Sequence, residues 1–440
     1  MGVSLLLSYY GDDFTGSTDV MEALELQGVP TVLFLEIPNK GDLERFPECR
    51  AIGVAGMSRS ESPAWMNTHL PPVFAALSEL GAPICHYKVC STFDSSPNIG
   101  NIGRAIELGR STIGTKVVPL VVGAPALKRY VVFGNLFATA QGETMRIDRH
   151  PTMSSHPVTP MRESDLRRHL AEQTSLRAGL VDVLTLQAGR GVERFQELAS
   201  GGCEIALFDT LDLASLREAG RSLWESRTES TTFVAGSSGV EYALLAWWDT
   251  KGLLPQRPTV RQAAPADRML VVSGSCSPVT EKQIEFSLSN GFHGIRVNPI
   301  ELVSDPSTLE KTITSAEENL REGRSLVIYT AAGPKDIAPS AEGAGDFGKE
   351  IGRRLGMIAA EVQRRSGVRR LLSAGGDTSG HIGKALEIQA LTMIRPFAPG
   401  SPLCRVWSRN PQRDGVEILL KGGQVGREEL FVDVKRGRLE

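Results

Sequence analysis

The chain has 440 residues, 48 Lys plus Arg against 51 Asp plus Glu (net charge −3), and 41% hydrophobic residues. That length suggests roughly two or three domains of ~100–200 residues, and the composition excludes a disordered chain. The charge balance gives no electrostatic footprint for a nucleic-acid partner, and no apolar run approaches the ~18 residues of a membrane span. No basic region followed by an apolar one opens the sequence, so no secretory signal is expected. The six cysteines (Cys49, Cys85, Cys90, Cys203, Cys276 and Cys404) form no Cys-x-x-Cys, which fits reduced thiols in a cytoplasmic enzyme and argues against a zinc ribbon.

In chain order, short aliphatic runs alternate with helical patterns. Strands are expected at Ser4–Tyr9, Thr31–Leu35, Ala51–Ala55, Ile84–Val89, Lys116–Val122, Val183–Leu186, Glu204–Asp209 and Thr231–Ala235, with helices such as Ser17–Gln27, Asn101–Arg110 and Leu213–Glu225 between them. After Thr250–Asp267, a stretch with three prolines and no period, strands follow at Met269–Ser273, Gly294–Val297, Ser325–Thr330, Val368–Ser373, Leu391–Pro396 and Val416–Leu420. Helices are expected at Glu281–Asn290 and Phe347–Arg365. The alternation predicts an α/β protein of two domains with mostly parallel sheets, 1–250 and 265–440, joined by a linker. Residues 129–160 break the pattern as a hairpin and long excursion, the kind of segment that carries function or the contacts of a homodimer.

Polar loops at strand ends carry the chemistry, because open parallel sheets bind ligands at the carboxyl ends of their strands. The first strand runs into Gly11-Asp12-Asp13-Phe-Thr15-Gly-Ser-Thr-Asp19. Asp13 and Thr15 could simply cap the next helix, but two adjacent acids exceed what a cap needs. The third strand leads to Arg59, placed to clamp a carboxylate bidentately. The fourth leads to Lys88-Val-Cys-Ser91-Thr92-Phe93-Asp94, a set of donors and acceptors suited to a polyhydroxylated ligand.

In the second half, Ser273-Gly274-Ser275-Cys-Ser277, Gly375-Gly376-Asp377-Thr378-Ser-Gly380 and Lys421-Gly422-Gly423 each follow a strand. Glycines let backbone N–H groups approach a phosphate, and a helix N-terminus adds a favourable dipole. Gly343-Ala-Gly-Asp-Phe-Gly348-Lys349-Glu350 imitates a Walker A sequence but has Glu350 where Ser or Thr should meet magnesium. No histidine or cysteine grouping has zinc spacing, so no protein-held metal is expected. His86 reads as a core or edge residue, and Gly236-Ser-Ser-Gly239 as either a ligand loop or a strand–helix turn.

Taken together, Asp12–Asp19, Cys90–Ser95 with Gly100–Gly103, His156-Pro-Val-Thr-Pro-Met161, Ser273–Ser277, Gly375–Gly380 and Leu420–Gly423 resemble the four-carbon acid sugar kinase family almost end to end. The resemblance implies an N-terminal domain for a four-carbon sugar acid (3-oxo-tetronate, threonate or erythronate), a C-terminal domain for ATP, and transfer of the γ-phosphate to the acid's terminal hydroxyl. On that reading Arg59 holds the substrate carboxylate, and Asp12, Asp13, Lys88, Ser91, Thr92, Phe93 and Asp94 bind the rest. Ser273, Gly274, Ser275, Gly375, Gly376, Asp377, Thr378, Gly422 and Gly423 hold ATP with Mg2+. Asp12 and Asp377 are the candidates for the base, and a closing motion would exclude water. Two other classes remain: a nicotinamide-dependent hydroxy-acid dehydrogenase, which no strand–GxGxxG–helix unit supports, and a noncatalytic sugar-acid sensor, which would need no phosphate-binding domain.

Overall fold

The computed structural model describes residues 4–140, 142–156, 158–254, 263–331, 333 and 344–438. Part of the expected linker (255–262) and the start of the Walker-like segment (up to Gly343) therefore lie outside the described residues. The chain divides into two compact units, Met1–Val32 with Ile37–Pro258, and Leu33–Glu36 with Thr259–Glu440. Among the described residues no helix is long and apolar enough to cross a membrane.

The first unit contains β1 (Leu7–Gly11), the first half of the short strand β2 (Thr31–Phe34), β3 (Ala51–Ala55), β4 (Ile84–Lys88) and β5 (Val118–Val121). An antiparallel set follows, β6 (Arg129–Val132), β7 (Asn135–Ala140) and β8 (Glu143–Arg146), and then β9 (Ala178–Val181), β10 (Ile205–Phe208) and β11 (Thr232–Gly236). Seven of these pair in parallel in the order β3-β1-β4-β11-β5-β10-β9. Both faces are covered, which is why these strands read as unbroken apolar runs rather than as alternating ones. On one face Tyr10, Cys85, Tyr87, Leu120, Ile205 and Phe233 pack with Met66, Leu70, Phe74 and Leu77 of the helix Pro63–Glu79 and with Ile102, Ala105 and Ile106 of Ile102–Ile113. Burying a side chain such as Phe74 contributes about 1.5–3 kcal/mol. On the other face Tyr9 donates its hydroxyl proton to Ser17 O of the helix Phe14–Glu25 (3.1 Å), and His86 meets Glu241 of Gly239–Thr250 (2.6 Å).

The expected strand at Val183–Leu186 is a helix, Val183–Gln187, and the strand lies just before it, at β9. Asp182 decides the matter: its carboxylate accepts Thr185 N (3.0 Å) and the Thr185 hydroxyl (3.0 Å), an N-cap that an apolar run of five residues does not reveal. The 129–160 excursion begins as β6–β8. It is tied back to the body where Asp209 accepts the backbone N–H groups of Phe133 (2.6 Å) and Gly134 (2.9 Å).

The second unit holds β12 (Leu270–Ser273), β13 (Phe292–Arg296), β14 (Ser325–Tyr329), β15 (Arg370–Ala374), β16 (Ala390–Ala398), β17 (Ser401–Trp407) and β18 (Glu417–Lys421). The order β13-β14-β12-β15-β18 is parallel, and β17 and β16 continue it antiparallel. Leu33 and Phe34 pair with Leu391 and Ala390, which is why Leu33–Glu36 groups with this unit. β12, β15 and β18 lie side by side, so the three glycine-bearing loops leave the same edge of one sheet.

Candidate active site

In the first unit, β1, β3 and β4 end together, and the loops beyond them are stitched by backbone bonds. Asp12 N donates to Lys88 O (2.9 Å), Gly56 N to Gly11 O (2.8 Å) and Arg59 N to Asp12 O (3.0 Å). Arg59 then bridges the two acids: Nε and Nη2 donate to Asp12 (3.0 and 2.7 Å) and Nη1 to Asp13 (2.7 Å). Three of its five N–H donors are thereby used, and one remains on each terminal nitrogen. Asp13 is also the N-cap of Phe14–Glu25, accepting Gly16 N (2.7 Å) and the Thr15 hydroxyl (3.0 Å), so it both caps and lines the site.

Gly16 marks where these groups converge. A Cβ there would fall 2.4 Å from Asp13 Oδ1, 3.1 Å from Lys88 Nζ and 3.6 Å from an Arg59 terminal nitrogen. The side chains of Asp13 and Arg59 are 21% and 26% exposed, whereas those of Asp12 and Lys88 are 5% and 3% exposed. Asp13 and Arg59 thus form a reachable rim over a buried floor. Burial pushes the Asp12 carboxyl up to about 6, against the opposing pull of Arg59, while Asp12 and Asp13 hold the Arg59 guanidinium firmly protonated. A carboxylate that titrates near neutrality suits proton transfer.

The Ser91–Asp94 loop divides. Asp94 accepts the hydroxyl protons of Thr92 (2.5 Å) and Thr159 (3.2 Å), and its charge adds to the field that stabilises Arg59. Ser91 is half-buried, with no hydrogen bond from its hydroxyl among the described residues. Phe93 adopts a left-handed backbone (φ 56°), and its ring is fully buried in the core, so only its main chain is free to face a ligand.

Sequence reasoning did not assign Asp19, 3.8 Å from Lys88 Nζ, although it stands in the first motif. Thr159 and His156 were also unassigned; Nδ1 of His156 accepts Thr159 N (3.0 Å), which fixes the loop that brings Thr159 onto Asp94. His86 is a core residue bonded on both sides, to Glu241 (2.6 Å) and to Gly236 O (3.1 Å). In Gly236–Gly239 the Ser237 hydroxyl is taken up by Val122 O (2.6 Å) and Gly239 N (2.9 Å), as a strand–helix turn requires.

In the second unit the three loops interlock. A Cβ on Gly274 would lie 2.5 Å from Thr378 Oγ1, and one on Gly423 would lie 2.6 Å from Ser275 Oγ. Ser273, Ser275 and Ser277 each accept the backbone N–H two residues ahead (3.3, 3.2 and 3.2 Å), a turn sequence that leaves each hydroxyl proton available. Gly375 has φ +119°, which glycine adopts readily, and its N–H is taken by Lys421 O (2.9 Å). The cradle expected from Gly375 and Gly376 therefore begins one residue later. Ser379 N returns to Gly375 O (2.9 Å), leaving the amides of Gly376, Asp377 and Thr378 without partners among the described residues, at the start of the helix Gly376–Ala385. Gly376 faces open space: a Cβ there would meet nothing within 4 Å. Asp377 is exposed, Thr378 is buried, and Gly422 and Gly423 turn away from β18 beside Ser275.

The first unit thus gathers charged and hydroxyl side chains beyond β1, β3 and β4, and the second gathers unpartnered amides and serine hydroxyls beyond β12, β15 and β18. Comparison with known proteins places the chain in a family. Residues 7–244 match a sugar-binding N-terminal domain and residues 270–431 a nucleotide-binding C-terminal domain. A 3-oxo-isoapionate kinase of Paraburkholderia graminis is 48% identical over 99% of this chain and 95% of its own length. A 3-oxo-tetronate kinase of Cupriavidus necator is 30% identical over 98% and 96%. Among solved structures, a Salmonella typhimurium LT2 protein superposes with a TM-score of 0.81 (24% identity, 98% and 99% coverage), and Haemophilus influenzae HI1011 with 0.71 (24%, 97% and 98%), which shows a shared fold. The chain belongs to the four-carbon acid sugar kinase family. It is a sugar-acid kinase with a nucleotide as the second substrate, and the dehydrogenase and sensor readings receive no support from these relatives.

Proposed function

We propose that the enzyme transfers the γ-phosphate of ATP to the terminal hydroxyl of a 3-oxo sugar acid, with a 3-oxo-isoapionate-type acid the preferred substrate. The choice of acid rests on the 48% identity across nearly the whole chain to a kinase of that name, against 30% to the 3-oxo-tetronate kinases. The observation that carries the site assignment is the convergence of Asp13, Arg59 and Lys88 on Gly16 above Asp12.

Arg59 offers its two remaining N–H groups to the acid's carboxylate, while Lys88, Asp13 and Asp94 orient its oxygens. Asp12 accepts the proton of the attacking hydroxyl as that oxygen bonds to the γ-phosphorus, the bond from phosphorus to the β–γ bridging oxygen breaks, and ADP departs with the electron pair. In the second unit the amides of Gly376–Thr378 receive phosphate oxygens, with the hydroxyls of Ser273 and Ser275 beside them. The residues fit such a ligand: three orphan amides meet open space at Gly376, and Gly274 and Gly423 are the residue type that keeps the loops this close. Among the described residues no group of three or more His, Cys, Asp or Glu could hold an ion unaided. Mg2+ would arrive on the phosphates, with Asp377 as a carboxylate offered by the loop. Bound there, the ion neutralises charge on the phosphate oxygens. We also propose a cytoplasmic location, in keeping with six free cysteines.

The test is an ATP-consumption assay over a panel of acids, with the product examined by phosphorus NMR. The expected outcome is turnover of 3-oxo acids well above that of erythronate and threonate, with 3-oxo-isoapionate first and a phosphomonoester on a primary carbon. Equal turnover of acids with and without the 3-oxo group would refute the substrate assignment.

A further inference from the structure

Lys421 ends β18, and its side chain is fully buried. Nζ donates to Thr280 Oγ1 (3.0 Å) and approaches Gly423 O (3.4 Å), and the Thr280 hydroxyl donates to the same carbonyl (2.8 Å). Thr280 lies in the first turn of the helix Pro278–Ser289, and Lys421 O holds Gly375 N at the head of Gly376–Ala385. The ammonium therefore sits in the first turn of one helix, whose dipole disfavours a cation, while the carbonyl of the same residue holds the head of a second helix.

Its neighbours do not compensate. Arg370 on β15 and Glu417 at the start of β18 pair with each other, and among the described residues Glu281, Lys282, Asp377 and His381, on the two helices, make no bond to Nζ. An ammonium buried without a carboxylate is costly. Two helix N-termini, three orphan amides and a buried lysine all lack the same thing, an anion.

We propose that Lys421 supplies a positive charge for the nucleotide's phosphates, and that nucleotide binding is linked to proton uptake on this side chain. The inference deepens the nucleotide site described above and rests on it. Burial alone pushes the Lys421 ammonium down to about 7, so in the free enzyme it is largely neutral in mildly alkaline solution. Phosphate oxygens nearby favour the charged form and draw a proton from solvent. Affinity for nucleotide should then fall as pH rises above about 7.

The probe is MgADP, titrated calorimetrically into the full-length enzyme at about pH 8 in buffers of different ionisation enthalpy, where the ADP phosphates are already ionised. Wild type should take up close to one proton per ADP, and the uptake should shrink at about pH 6, where Lys421 is already charged. In Lys421→Met the uptake should vanish and Kd rise by roughly 10–100-fold, as for a lost charge-assisted contact. ADP binding to wild type without proton uptake overturns the Lys421 proposal and leaves the nucleotide site standing. Absence of ADP binding to wild type overturns both. The wild-type measurement decides the matter even if the variant does not fold.

Discussion

Replacing Arg59 with methionine removes three charge-assisted hydrogen bonds, two to Asp12 and one to Asp13, while keeping much of the side chain's length. Asp12 would be left buried without its hydrogen-bonded cation, with only the charge of Lys88 still favouring its ionised form. Since burial already lifts its carboxyl to about 6 with Arg59 pulling it down, the variant must move it higher still. The proposed base needs its ionised form, so activity falls as pH drops through about 6 in wild type, and this acid limb should shift to higher pH in the variant. Each charge-assisted contact to the substrate carboxylate is worth about 1.5–3 kcal/mol, so losing the Arg59 clamp should cost at least roughly 10–150-fold in kcat/KM for the acid. KM for ATP should hardly change, because its proposed site lies in the other unit. The assay is a pH series of kcat/KM for each substrate. Partial rescue at alkaline pH identifies the charge effect, whereas a limb that stays at its wild-type position with the acid's KM unchanged would refute both the carboxylate clamp and the base assignment.

Asp12→Asn should lower kcat by roughly 100–10,000-fold with ADP affinity retained, as expected for a lost general base; near-normal kcat with the acid limb intact would exclude Asp12 from that role. Thr159→Val removes one of the two hydroxyl donors to Asp94, and steady-state kinetics should show KM for the acid raised by roughly tenfold and KM for ATP unmoved. Glu25→Gln probes burial rather than catalysis: burial lifts the Glu25 carboxyl to about 7, while Thr31 N donates to it (2.7 Å), a bond glutamine can also accept. A carboxyl raised on folding binds more protons in the native state, so its ionisation lowers stability as pH rises from its unfolded value through about 7. The variant should therefore gain Tm over wild type at about pH 8 and little at about pH 5.

Much of this architecture could be read from the sequence because parallel strands buried on both faces are written as short apolar runs, and their loops as clusters of Gly, Asp and Ser. Ala51–Ala55 and Leu213–Glu225 fall where those patterns place them. Where short-range signals compete, the sequence misleads. Val183–Leu186 has the composition of a strand, but the Asp182 cap starts a helix. The helix Pro63–Glu79 has Pro71 and Pro72 inside it, yet it places Met66, Leu70, Phe74 and Leu77 in the core. β17, with Pro402 in it, gave no strand signal and is held by its antiparallel neighbours. The site divides similarly. Asp12, Asp13, Arg59 and Lys88 are legible as polar residues at strand ends. That Thr159 reaches Asp94 depends on an excursion returning across 65 residues of chain, which no local pattern records. The loop Lys421-Gly422-Gly423 is legible as a lysine and two glycines closing an apolar run, but the burial of that lysine against Thr280, 141 residues away, is not.

The central claim is that acid and nucleotide bind in separate units, at Gly16 with its surrounding charges and at the amides beginning with Gly376. Gly376→Val tests it most directly, because the added side chain meets no protein atom at its Cβ and fills the space assigned to phosphate. Calorimetry with MgADP and with the 3-oxo acid that turns over fastest, on a variant of wild-type Tm, should show ADP binding abolished and acid binding unchanged. ADP binding and turnover retained at wild-type strength would contradict the account, since the loop would then be only a turn between β15 and the helix that follows it.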